Sequence, residues 1–95
     1  MKNLFIIILN PNVDTSIIKR RIEDLGEYYV VYNNQYLVLS KQNDAQNVYS
    51  EIVKNDDNII GTIVLSISTK ELSYWGYADK SLWEWLDKHT KNTDS

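Results

Sequence analysis

The chain has no cysteine, one histidine, one proline, three glycines and one phenylalanine among its 95 residues. Without cysteine, disulfides, thiolate nucleophiles and thiolate metal sites are excluded. The single histidine, His89, cannot build a multi-histidine metal centre, and it leaves the plentiful serines without a nucleophile-base-acid set. Glycines at 26, 61 and 76 are too scattered for a phosphate-cradling loop. Long hydrophobic runs are missing too. The longest, Leu4 to Leu9, has six residues, against the roughly 20 that a membrane span needs. One Lys precedes it and no small-residue cleavage site follows, so it reads as a strand rather than a secretion signal, and the expected compartment is the cytoplasm. Positive charge is also short: the net charge of −3 works against phosphate binding over the whole surface.

What is present is ordinary in bulk and unusual in rings. Hydrophobic residues make up 43 % and charged residues 24 %, which places the chain among globular proteins rather than disordered ones. Its length suits one domain and leaves no room for a second core. Aromatic content reaches 12 %, with seven Tyr and three Trp, which suits a small core or a contact surface.

The run Leu4–Leu9, closed by the turn Asn10-Pro11-Asn12, predicts a strand buried on both faces. A helix over 14–25 follows, capped by Asp14 or Thr15, with Ile17, Ile18, Ile22 and Leu25 at helical spacing. Gly26 stands where a left-handed C-terminal cap is expected. Two strands, 27–32 and 35–40, flank Asn33-Asn34, a two-residue hairpin loop, since Asn tolerates positive φ. A second helix starts at Asn43 or Asp44 with Val48, Ile52 and Val53 inward and Tyr49 beside them. The polar turn 55–58 leads to a strand over 59–67, with Gly61 at a bulge. Residues 70–77 form a short edge strand or an ordered loop, and 79–89 a final helix with Leu82, Trp85, Leu86 and His89 along one stripe. Thr90 to Ser95 is a polar, fraying end. No repeat or linker divides the chain, so it is a single domain over 1–95, with a core over 1–68 and a C-terminal extension over 69–95.

The fold class is therefore α+β, in the order β-α-β-β-α-β of a ferredoxin-like sandwich, with an aromatic-rich extension and short helix appended. Right-handed crossovers put both helices on one face of the sheet. The other face, also apolar, must be covered by the Trp-rich terminal helix or by a second copy of the chain.

Few residues offer chemistry. The turn after the first strand presents Asn10, Asn12 and Asp14. A Mg²⁺ site would want one or two carboxylates, and Asp14 is already the obvious cap, so Asn10 and Asp14 are the only metal candidates and the cap reading prevails. Lys19, Arg20 and Arg21 form the one basic run. Three consecutive helical residues fan through about 200°, which makes a solvated face the plain reading; nucleic-acid contact there would position a backbone without reading sequence. Asp56-Asp57 reads as a solvated turn, and His89 as a residue favoured by the dipole at a helix C-terminus. Tyr36, Tyr74, Trp75, Tyr77, Trp83 and Trp85 are the candidates for a dimer or partner interface, with base stacking as the competing use of the rings. Trp83 and Trp85 lie about 200° apart on a helix, so one is expected against the sheet and the other toward a partner or solvent.

The helix closing on Leu25-Gly26, the strand Asn34-Gln35-Tyr36-Leu37-Val38-Leu39-Ser40, the helix opening Asn43-Asp44-Ala45, and the ending Tyr74-Trp75-Gly76-Tyr77 with Ser81-Leu82-Trp83-Glu84-Trp85-Leu86 resemble the SinR-like small proteins of the Cas-two superfamily. These differ from the Bacillus repressor of the same name. That superfamily includes the CRISPR adaptation subunit and related toxin-like nucleases. The resemblance implies a ferredoxin-like homodimer in which open sheet faces meet and the C-terminal segment reaches the partner. Nucleases of the family place an Asp, as Tyr-Asp, at the end of the first strand; this chain has Leu9-Asn10, so catalysis is not carried over. The expected function is a non-enzymatic homodimeric binding module of a mobile-element or defence-associated type. Nucleic acid or another protein is the candidate partner, and neither membrane nor cofactor is involved. The alternatives are a metal-dependent nuclease, with Mg²⁺ as its cofactor, and a small phage-type inhibitor of a host protein.

Overall fold

The computed structural model describes residues 2–54, 61–68 and 76–90. The elements are β1 (Asn3–Ile8), α1 (Ser16–Glu23), β2 (Glu27–Tyr32), β3 (Gln35–Ser40), α2 (Ala45–Val53), β4 (Ile63–Ile67) and α3 (Lys80–Thr90). Among the described residues they make a small α+β domain: one four-stranded sheet in the order β2-β3-β1-β4, every neighbouring pair antiparallel, with three helices. No helix among the described residues is long and apolar enough to cross a membrane. The turn expected at 55–58, the start of the strand expected from Ile59, and the segment through Tyr74 and Trp75 lie outside the described residues.

The registers sort the paired strand residues onto two faces. Phe5, Ile7, Tyr36 and Val38 share the first face and join Ile18 and Ile22 of α1 and Val48, Ile52 and Val53 of α2 in the larger core cluster. Leu4, Ile6 and Ile8 of β1 pair with Leu39, Leu37 and Gln35 on one side and with Ile67, Leu65 and Ile63 on the other. Those residues make the second face. Because β1 is central and apolar on both faces, each face needs its own cover, at roughly 25 cal/mol per Å² of apolar surface removed from water.

The local chemistry explains several boundaries. Asp14 does not begin α1: its Oδ1 accepts from the Ser16 N–H at 3.0 Å and the Ser16 hydroxyl at 2.8 Å. That Asx turn holds Thr15 at the N-cap, where its carbonyl takes the first helical bond from Lys19. Helix α2 starts as its sequence promises, with Asp44 Oδ1 accepting from the Asn47 N–H at 2.9 Å.

Two glycines act differently from expectation. Gly26 is not a left-handed cap, since Asp24 closes α1 in a right-handed conformation. Its reason is space: a Cβ at 26 would collide with the Leu39 carbonyl oxygen of the neighbouring strand. Gly61 sits in the turn before β4 at φ 87°, not at a bulge, and a Cβ there would lie 2.6 Å from Asn10 Cβ.

The Asn33-Asn34 hairpin is present, but neither residue takes positive φ. The irregularity that accompanies this turn is a register shift between Val30 and Tyr32, which leaves Val31 as an extra residue. Replacing Gly26 with Ala is expected to destabilise the chain by about 1–3 kcal/mol through backbone overpacking. A lowered denaturant midpoint with an unchanged m-value would register it.

Candidate functional site

The turn after β1 is internally satisfied. Asn10 Oδ1 accepts from the Asn12 N–H at 2.9 Å, and the Asn10 side chain packs where Gly61 leaves room for it. The Asp14 carboxyl lies below the usual carboxylate range because the Ser16 N–H holds its charged form, helped by the Ser16 hydroxyl and by the Lys19 charge. Both metal candidates therefore serve the turn as hydrogen-bond acceptors. Among the described residues no group of three or more His, Asp or Glu could hold a metal ion.

The basic run is divided among three tasks. Arg21 donates through one guanidinium nitrogen to the Ile52 and Val53 carbonyls, at 3.0 and 2.9 Å, and so ties α1 to the C-terminal end of α2. Lys19 Nζ donates to the side chain of Asn33 in the hairpin loop at 3.2 Å. Arg20 points to solvent. The three cations are not brought together as a phosphate-binding patch.

Nor do the aromatic candidates among the described residues form one surface. Tyr36 belongs to the core beneath α1 and α2 and is only 4 % exposed, so it presents nothing to a partner. The expectation of an interface role fails there because Tyr36 pairs with Ile7 on the first face, the one covered by both helices. Tyr77 is fully exposed, while Tyr74 and Trp75 fall outside the described residues.

Trp83 and Trp85 are both half-buried against the second cluster, instead of one facing in and one out. The buried stripe on α3 is Leu82 and Leu86, which press on Leu37. One ring lies about 80° to each side of that stripe, so both can flank it. Trp85 is held between two rings, with its centroid 6.0 Å from Tyr29 and 4.7 Å from His89.

Helix α3 is thus the cover of the second face, at least over β2 and β3. It runs antiparallel to β2 and is fastened near both ends. The Tyr29 and Ser81 hydroxyls are 2.6 Å apart, and His89 Nδ1 lies 3.2 Å from Glu27 Oε1, which also meets Lys2 at 3.5 Å.

Sequence reasoning missed a groove of about 200 Å³ between β2 and the start of α3, lined by Tyr29, Val31, Tyr32, Ala78, Asp79 and Leu82. The bulge creates one of its walls. Strict alternation would put Tyr32 beside Tyr28 and Val30 on the first face. With Val31 as the extra residue, Tyr32 pairs with Gln35 and lies on the second face. The only signal in the sequence is the position of Tyr32 next to the hairpin loop, which does not disclose a bulge.

No family model matches the chain, and neither the curated proteins nor the solved structures offer a match.

The phenol of Tyr36 ionises above its usual range, chiefly because burial disfavours the phenolate and secondarily because of Glu23 and Tyr28. A raised acid pKa in the folded state contributes stability that is complete below the unfolded value of about 10 and is lost as pH rises through the folded value. Absorbance titration should show a late-ionising component that Tyr36→Phe removes. In the wild type, stability should fall above pH about 10.

Proposed function

We propose that the chain is a non-enzymatic homodimeric binding module built on a ferredoxin-like topology. The strand order β2-β3-β1-β4, antiparallel throughout, supports that topology, as do α1 and α2 on a common face. The likeness to SinR-like proteins favours the same fold and the same pairing of subunits.

One observation carries the dimer. Helix α3 shields the β2 and β3 side of the second face, while Ile63 and Leu65 on β4 remain 49 % and 46 % exposed. They lie opposite Ile8 and Ile6, which are themselves only half-buried. A branched apolar strip on a sheet face is the kind of surface that a second subunit removes from water. Closure of this strip by a twofold partner extends the second hydrophobic cluster across the interface.

The absence of catalysis in this reading rests on what the candidate groups do. Asn10 and Asp14 are engaged in turn bonds, and Asn10 supplies no anionic charge at the position where nuclease relatives place Asp. Arg21 and Lys19 are likewise engaged in holding α1 to its neighbours, which favours a protein surface over a nucleic-acid backbone as the contact.

Light scattering across concentration tests the assignment. The wild type should be a dimer that chelators do not alter, and Leu65→Lys should shift it to monomer while keeping the thermal transition. A wild-type monomer at high micromolar concentration overturns the reading.

A further inference from the structure

The outer edge of β2 is a second apolar surface, separate from the Ile63–Leu65 strip. Among the described residues strand β2 closes one side of the sheet, with no strand beyond its outward N–H and C=O groups. Edge strands are commonly protected by charge, proline or a bulge. Here Tyr28, Tyr32 and Val30 are 39 %, 64 % and 44 % exposed, and the one acidic residue of the strand, Glu27, already meets His89 and Lys2. The bulge does not close the edge off. It turns Tyr32 onto the second face, where Tyr32 becomes a wall of the groove.

We propose that this edge and groove accept an extended basic-apolar segment of another protein, which adds a fifth strand beside β2 and seats one large apolar side chain between Tyr32 and Leu82. Three features determine the occupant. First, the volume of about 200 Å³ lies below the roughly 300–1,000 Å³ of sites for small molecules and suits a single Leu- to Phe-sized side chain. Second, rings that bury about 150–250 Å² when fully covered leave Tyr28, Val30 and Tyr32 offering on the order of 200–300 Å² together. Docking of a folded partner needs about 800 Å² from each side, of which these side chains, like the Ile63–Leu65 strip, are only a part; main-chain pairing lets a single strand bind with the area this edge has. Third, the only charged side chain lining the groove among the described residues is Asp79. A Lys or Arg flanking the seated side chain would meet that carboxylate, while a Glu or Asp there would be repelled.

The backbone would supply affinity through strand pairing, and the groove and Asp79 would supply selectivity. Bulge, groove and exposed tyrosines then serve one purpose, which depends neither on the dimer nor on the β4 strip.

Titration of the isotopically labelled full chain by NMR tests this. The probes are a short blocked peptide alternating Lys and Leu, its Glu-Leu counterpart, and the Lys-Leu peptide with a central proline. The basic peptide should shift amides of 28–32 and 78–82 and should bind roughly tenfold more tightly than either other probe. Tyr32→Ala and Asp79→Lys, both at exposed positions, should each weaken it roughly tenfold, and Asp79→Lys should improve binding of the acidic peptide. Leu65→Lys should leave binding unchanged, which separates this surface from the dimer contact. Equal affinity for the two charge versions overturns the proposal, as do shifts centred on β4 or indifference to both groove variants. Protection of β2 amides that grows with protein concentration, without peptide, would assign the edge to a second copy and overturn it equally.

Discussion

Strand β1 is apolar on both faces and lies between β3 and β4, so the sheet cannot leave either side to water. Phe5 and Ile7 require one cover, and Leu4 and Ile6 require another. Helices α1 and α2 meet the first demand with Ile18, Ile22, Val48 and Ile52. Helix α3 meets part of the second with Leu82 and Leu86, flanked by two indole rings. A single helix about 10–12 Å across cannot roof four strands spaced about 4.8 Å apart. It lies along β2 and β3, and the β4 side stays partly open.

This mismatch between one helix and four strands organises the molecular surface. Where α3 stops short, Ile63 and Leu65 leave an apolar strip about half exposed. Where α3 begins, its first turn and the displaced Tyr32 leave a groove against the edge of β2. The fastenings at Tyr29–Ser81 and His89–Glu27 set the helix along β2 and thereby determine the location of both features.

Much of the architecture was legible in the chain because it depends on patterns that tertiary context only reinforces. The six-residue apolar run reads as a strand buried on both faces; it is a strand, with Ile6 and Ile8 only half-buried on the second face. Of Ile17, Ile18, Ile22 and Leu25, the pair Ile18 and Ile22 marks the inward face of α1 while Ile17 is exposed; Val48 and Ile52 mark that of α2, and of the two cap candidates Asn43 and Asp44 it is Asp44 that starts it. The surface was harder to read because it depends on pairings between distant segments. Gly26 is required by the Leu39 carbonyl, not by its own φ. Arg21 looked like a free cation until α2 brought the Ile52 and Val53 carbonyls to it. Tyr36 looked like an interface ring because alternation along β3 does not say which face the helices cover. A bulge leaves almost no mark in sequence, so Tyr32 was assigned no role.

Helix α3 is an integral cover of the sheet rather than an appendage. Denaturant unfolding of Leu86→Ala, followed by tryptophan emission, tests this. Burial of Leu86 against the second cluster predicts a loss of about 2–5 kcal/mol, with one cooperative transition and a red shift of the indole emission on unfolding. A loss below about 0.5 kcal/mol, or emission already that of water-exposed indoles in the native wild type, would contradict it.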